Sequence, residues 1–500
     1  MSEQLKIVIV GGGTAGWMTA AALMGVATEK VCQLVLIESD QLGTVGVGEA
    51  TLPQMKDFND YIGINEADMM QKTNATFKLG IEFVNWGYKG SSYIHPFGKF
   101  GEPISGVDFH QMWSRVKGLD GIEPIEAYSF AVQACRHNRF DFPVDDQTEI
   151  NSTYAYAYHF DAGLYAQYLR KFSEEKGLTR IEGKIHNVNQ DPDTGNIKSV
   201  VLESGEEING DYFIDCSGFR SLLLAQTLKA SFDDWSPWLL CDRAMAVQSE
   251  CSALFPPYTQ ATAKSAGWQW RIPLQNRTGN GYVYSSQFIS DDEVSQSLLS
   301  DLDSPALKAP MMLKFKAGRY KDSWQKNCIA IGLSSGFLEP LESTSIYLIQ
   351  VAIVNLLKLF PNKIPNQTLI NEFNRLIDVE YETVRDFLIL HYHLNSRDDS
   401  ELWHYCRNMQ VPESLKQKME LFKHRGYVDT YKYGLFAPPS WISVFLGQGL
   451  EQQASDPYAY NTSQEYTENK LRELSASIKK RVELMPKHSE FVSDYCKSKM

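Results

Sequence analysis

The chain has 500 residues, 43% hydrophobic and 22% charged, with a net charge of −13. That size allows one large domain with insertions or two to three ordinary ones, with a substantial core. The acidic balance argues against a nucleic-acid footprint or attraction to an anionic membrane. In chain order, the first element is the apolar, β-branched run Ile7 to Val10, which predicts a strand buried on both faces. It leads into Gly11-Gly12-Gly13-Thr14-Ala15-Gly16, which fits G-x-G-x-x-G. Gly11 permits a tight turn, Gly13 close approach of a pyrophosphate, and Gly16 close packing of the following helix. That helix turns its N-terminal amides toward the phosphates. A second apolar run, Leu34 to Ile37, ends in Glu38, about twenty residues beyond Gly16, where an acid can hold a ribose hydroxyl. This end of the chain predicts a dinucleotide site.

Next, Gly46-Val47-Gly48-Glu49-Ala50-Thr51 reads as a loop that folds against a ligand. Asn74 to Trp86 alternates like a half-buried strand, with Phe77, Leu79, Ile81 and Phe83 on one face and Lys78 and Glu82 on the other. Tyr93-Ile94-His95-Pro96-Phe97-Gly98 is a turn that offers an imidazole and a phenyl ring. A helix is predicted from His159 to Phe172, a hairpin around Asp191 to Asn196, and a strand from Tyr212 ending at Asp215 and the turn Cys216-Ser217-Gly218. Trp268-Gln269-Trp270-Arg271-Ile272-Pro273 is strand-like, with both indoles on one face. Cys328 to Ile331 is a buried strand ending at Gly332. A helix from about Ile346 to Leu359 follows Glu342-Ser343-Thr344-Ser345, with Ser343 or Thr344 as its cap. A helix start of this kind is suited to a small anion.

From Pro361 the chain reads as mostly helical: Leu369 to Leu394, Glu413 to Phe422, and a closing helix with a capping box at Thr462 and Glu465 that stops before Pro486. Gly434 to Gly449 reads as a loop carrying Trp441. The longest apolar stretch, Tyr347 to Phe360, is broken by Gln350, Asn355 and Lys358 and does not span a membrane. No leader is read at the N-terminus, and a cytoplasmic protein is expected. The eight cysteines are scattered without C-x-x-C, so neither a disulfide framework nor a metal site is expected. No second glycine fingerprint follows a strand, so electrons for a bound flavin would come from elsewhere.

These segments together resemble the flavin-dependent tryptophan/indole halogenase family over nearly the whole chain. The family pairs G-x-G-x-x-G with W-x-W-x-I-P, here Trp268, Trp270, Ile272 and Pro273. It also shares Val47-Gly48-Glu49-Ala50-Thr51, Ile214-Asp215-Cys216-Ser217-Gly218-Phe219, His95-Pro96-Phe97 and Glu339-Pro340-Leu341-Glu342-Ser343-Thr344. The resemblance implies an α/β fold: an FAD-binding Rossmann-like module of the aromatic-hydroxylase type with a mixed sheet, and an added, mostly helical substrate module. The expected division is 1–360, with interleaved substrate-site segments, and 361–500. FAD would be held by Gly11, Gly13, Thr14, Ala15, Gly16, Glu38, Gly48, Glu49, Ala50, Thr51, Asp215 and Gly332. It would be used as FADH2, supplied by a separate flavin reductase, with O2 and a halide (bromide or chloride) as co-substrates. Ser343, Thr344 and Ser345 would hold the halide, which becomes hypohalous acid. Lys78 would capture or hydrogen-bond that species and deliver it. Glu342 would stabilise the cationic ring and take its proton, and His95, Phe97 and Trp441 would hold the substrate.

Two departures bear on the substrate. Many tryptophan-specific members have glycine where this chain has Ser345. They also carry an adjacent tyrosine pair, a glutamate and a Phe-Trp pair that grip the amino-acid end of tryptophan. Here Tyr431-Lys432-Tyr433-Gly434-Leu435-Phe436-Ala437-Pro438-Pro439-Ser440-Trp441 is shorter and lacks that set. An ammonium and a carboxylate buried without partners would cost several kcal/mol. The expected substrate is therefore indole or a simple indole derivative and not free tryptophan, with bromide, the easier to oxidise, favoured over chloride. A homodimer is the candidate assembly. Two other readings are an FAD-dependent aromatic monooxygenase, which halide-dependence would exclude, and a flavin-binding protein without substrate chemistry.

Overall fold

The computed structural model describes residues 4–26, 31–41, 48–251, 255–429 and 434–498. Gly46 and Val47, and Tyr431 to Tyr433, lie outside the described residues. The apolar run at the start forms the strand Leu5–Val10, buried except at Lys6. It sits inside a six-stranded sheet in the order Trp324–Gln325, Cys328–Ala330, Tyr212–Asp215, Leu5–Val10, Cys32–Glu38, Thr179–Glu182. Pairing is parallel except at the edge hairpin of Trp324–Gln325 and Cys328–Ala330. Register sets Val10 beside both Ile37 and Asp215. Gly11, Glu38 and Cys216 therefore emerge together at the carboxyl ends of the strands, where open α/β sheets bind ligands.

A second, seven-stranded sheet runs Met311–Lys314, Arg243–Glu250, Arg277–Tyr284, Gly267–Pro273, Thr259–Lys264, Gly80–Val84, Ser92–Pro96. The predicted strand from Asn74 to Trp86 proves to be two. Thr76–Lys78 pairs with Ala157–Asp161 in a small sheet that also holds Gly48–Ala50, whereas Gly80–Val84 joins the seven-stranded sheet. Lys78 and Glu82 thus belong to different sheets, and both are buried. Glu82 is paired with Arg136 at 2.5 Å. The alternation hid the break because both faces on either side of Leu79 are covered.

The helix predicted from His159 begins later, as Ala162–Glu175, because 157–161 pairs as a strand and the Asp161 carboxylate caps the helix, accepting from the Leu164 amide at 3.0 Å. After the strands come helices Thr344–Lys358, Gln367–His393, Glu401–Asn408, Glu413–Arg425, Pro438–Gly447, Gln464–Glu483 and His488–Cys496. Two readings are corrected here. The segment taken as a loop around Trp441 is the helix Pro438–Gly447, whose prolines occupy its first positions, where a missing N–H costs nothing. The helix Gln464–Glu483 is capped by Ser463, which accepts from the Tyr466 amide at 3.2 Å, one residue beyond the predicted box, and a further helix, His488–Cys496, follows Pro486. The main cluster of buried apolar side chains runs from Leu5 to Cys496. Among the described residues no helix is long and apolar enough to cross a membrane.

Candidate active site

A cavity of about 450 Å³ opens where the parallel strands end. Its wall includes Gly11 to Ala15, Glu38, Glu49, Ala50 and Gly332, with Trp268, Trp270 and Ile272 from the second sheet and Ser343 and Ser345 from the helix start. The glycine turn fits a dinucleotide. Gly11 has φ +111° and a Cβ there would lie 2.3 Å from the Cys216 carbonyl oxygen, whereas a Cβ on Gly13 would meet nothing within 4 Å. Gly11 is thus required by the fold, while Gly13 faces open space that a pyrophosphate can fill. Gly16 packs on Gly11, as helix-to-strand contact requires. Glu38 lines the cavity, its Oε1 accepting from Arg180 Nε at 2.7 Å. Burial, with Asp161 nearby, pushes the Glu49 carboxyl up to about 7.

Asp215 departs from its expected role. It is fully buried, and its Oδ2 accepts from the amides of Leu223 and Leu224 at 2.7 and 2.9 Å while Oδ1 takes Ser217. It holds the turn that lines the cavity without facing it. Pro273 likewise faces away, its carbonyl accepting from Thr76 Oγ1 at 2.8 Å. Thr51 is buried behind the wall, its hydroxyl donating to the Tyr158 carbonyl at 2.9 Å.

Lys78 lies fully buried behind the cavity wall. Its Nζ donates to the Thr51 carbonyl at 3.0 Å and to Ser343 Oγ at 2.8 Å, and it stands 5.0 Å from the centre of the Phe97 ring. Burial brings its ammonium down to about 7, against the opposing pull of Glu342. Ser343 precedes the helix Thr344–Lys358 in a left-handed conformation, φ 60°, and makes no side-chain cap. The sequence marks it as a cap, but its hydroxyl is turned to Lys78. Thr344 Oγ1 is buried with no hydrogen-bond partner among the described residues. An orphaned hydroxyl beside a helix N-terminus suits a small anion.

Glu342 is also fully buried. His95 Nδ1 is 2.8 Å from Oε2, and His391 Nε2 is 2.8 Å from Oε1. Neither Glu342 Oε1 nor His391 Nε2 makes a hydrogen bond of good geometry among the described residues, so the two atoms are held close without being bonded. His391 Nδ1 is 2.8 Å from the Phe387 carbonyl, so that nitrogen carries a proton and donates it. Burial alone would raise the Glu342 carboxyl, but the two imidazoles overcome it and hold it down to about 2. His391 was not singled out in the sequence: it lies forty-nine positions from Glu342, and nothing local marks it.

Of the substrate candidates, His95 and Trp441 belong to one buried aromatic cluster, and neither they nor Phe97 line the cavity. Trp441 packs edge-on to Phe387 at 4.9 Å and donates through Nε1 to the Phe436 carbonyl at 3.2 Å. Phe387 stacks on Phe436 at 3.8 Å and approaches the His95 ring at 5.6 Å. Phe387 and Phe436 are further additions, joining His95 to Trp441.

A dinucleotide cradle is thus backed by a buried lysine and by a carboxylate set between two imidazoles, an arrangement suited to a nucleotide-dependent enzyme. The sequence profile described as tryptophan halogenase matches residues 6–464, and the chain belongs to that family. Among its relatives, tryptophan 6-halogenase SttH of Streptomyces toxytricini is 36% identical over 471 residues, covering 89% of each chain. Two solved structures are similar throughout. Xcc4156, a flavin-dependent halogenase from Xanthomonas campestris, has 42% identity and a TM-score of 0.96 over 99% of both chains. BrvH, a flavin-dependent halogenase from Brevundimonas sp. BAL3, has 42% identity and a TM-score of 0.94 over 99% of both. The protein is thus a flavin-dependent halogenase, an oxidoreductase that uses reduced FAD, O2 and halide. Its family generally relies on a separate flavin reductase.

Proposed function

We propose that this enzyme halogenates an electron-rich ring through Lys78, and that its substrate is indole or a simple indole derivative and not free tryptophan. The observation that carries the chemistry is the buried Lys78 ammonium, brought down to about 7 and tied to the cavity wall through Ser343. Reduced FAD, when bound, supplies with O2 the oxidation that turns halide into hypohalous acid. The helix start at Thr344 and Ser345 supports a halide site on the cavity side.

Near neutral pH a large share of Lys78 is the free amine, a nucleophile able to take halogen from hypohalous acid and release water. The ring then attacks the N-halogen bond. Glu342, held as an anion, stabilises the cationic ring and accepts its proton, and the amine recovers a proton as the halogen leaves. The two imidazoles give that proton a place to go.

For the substrate, the rings of His95, Phe387, Phe436 and Trp441 pack together on the His95 side of Glu342, apolar surroundings that suit an uncharged ring better than an ammonium and a carboxylate. The short segment 431–441 supports one without an ammonium and a carboxylate to be paired. SttH is named for tryptophan, so tryptophan is the competitor to test. Reduced FAD from an added reductase, with bromide or chloride and a panel of indoles, should give halogenated products recognisable by their isotope doublets. Bromide should outpace chloride. Higher turnover with tryptophan than with indole would overturn the substrate assignment, and a hydroxylated, halogen-free product would overturn the reaction.

A further inference from the structure

The W-x-W-x-I-P strand and the Glu339-Pro340-Leu341-Glu342 turn are far apart in sequence yet bonded to one another. Trp268 Nε1 donates to Glu339 Oε2 at 2.8 Å, and the Tyr392 hydroxyl donates to the same oxygen at 2.8 Å. Glu339 and Trp268 are each 1% exposed. Oε1 of Glu339 is buried without a hydrogen-bond partner among the described residues. Tyr392 adjoins His391 near the end of the helix Gln367–His393. One helix therefore touches both carboxylates of the turn, Tyr392 at Glu339 and His391 at Glu342. Trp86 packs against both donors, 6.5 Å from Trp268 and 5.3 Å from Tyr392.

A carboxyl buried with donors on one oxygen alone is a poor contributor to stability, and burial pushes this one up to about 7. Apolar residues of the same shape would pack as well. What the pair of donors supplies is direction, since short bonds onto one oxygen fix the carboxylate and the backbone that bears it.

We propose that Trp268, Glu339 and Tyr392 form a brace that positions Glu342. Trp268 and Glu339 are positioning residues: they hold the three-residue turn Pro340–Glu342 so that Glu342 lies between His95 and His391 and Ser343 reaches Lys78. This rests on the reading of Lys78 and Glu342 as the reacting groups. It also gives the first tryptophan of the motif a role separate from the flavin wall.

The test compares Trp268→Phe, which keeps a ring and loses the N–H, with Glu339→Gln, whose amide oxygen still accepts both bonds. Three readings are taken: kcat with bromide and indole, FAD affinity by fluorescence titration, and the imidazole NMR signals of His95 and His391. At saturating FAD, Trp268→Phe should lower kcat about ten-fold, the cost of one hydrogen bond to a charged group, with both imidazole signals moved. Glu339→Gln should keep most of kcat. An unchanged kcat in Trp268→Phe, a loss explained by weaker FAD binding, or unmoved imidazole signals would overturn the brace. The NMR reading needs no turnover. If wild type fails to halogenate yet the signals move, the functional reading fails and the brace stands.

Discussion

Ser343 Oγ accepts a hydrogen bond from Lys78 Nζ at 2.8 Å while Ser343 itself lines the flavin cavity. The serine thus stands between the cavity and the buried amine. Its left-handed backbone, φ 60°, turns the hydroxyl from the helix amides toward the lysine. Such a conformation costs on the order of 1 kcal/mol, and is retained where geometry matters.

Lys78→Met should abolish halogenation and raise the melting temperature. Removing a buried amine replaces a desolvated charge with a packed thioether, a gain of about 1–2 kcal/mol. The folded amine titrates near 7, below its ordinary 10.5. Between those values the unfolded chain holds the proton and the folded chain does not, so stability rises with pH through that window. The methionine advantage should be largest below pH 7 and shrink toward pH 10, by calorimetry across pH.

The rate of halogen transfer should climb as Lys78 loses its proton near pH 7 and level off above it. Glu342, held at about 2, should place no limb in the neutral range. Lys78→Arg keeps the charge and cannot supply a free amine, so its single-turnover rate should fall at least about a hundred-fold at every pH.

His391→Phe should lower kcat by about ten-fold or more while leaving FAD affinity intact. It removes one of the two imidazoles that hold Glu342 ionised. The carboxyl pKa should rise, and a new acid limb should enter the pH profile. An unchanged profile would refute the role assigned to His391.

Gly11→Ala and Gly13→Ala should part company. At Gly11 the left-handed φ and the Cys216 carbonyl leave no room for a Cβ, so the apo-protein should be destabilised. At Gly13 nothing lies within 4 Å, so the apo-protein should melt normally and bind FAD weakly. Thermal melts with and without FAD separate the two.

The dinucleotide cradle was readable because its signals are local: an apolar run, three spaced glycines and an acid that ends the next strand. Trp268 and Trp270 were readable as a strand pair for the same reason, and their rings lie 6.1 Å apart. The break at Leu79 was not, since burial on both faces erases the contrast on which periodicity depends. Pro438 and Pro439 suit a loop and the first turn of a helix equally, so the segment reads as a loop in sequence and folds as a helix. Asp215 matched its motif, but its oxygens are taken by backbone amides, which only three-dimensional structure reveals. The partnerships of Glu342 with His391 and of Glu339 with Trp268 span long stretches of chain. No local pattern announces them.

The most direct test of the account is Lys78→Ala supplied with reduced FAD, O2, bromide and indole at flavin occupancy matched to wild type, with products read by mass spectrometry. Wild type should give the bromine isotope doublet on the indole product, and Lys78→Ala should give none while still binding FAD. A doublet from Lys78→Ala at a rate near that of wild type would contradict the lysine relay.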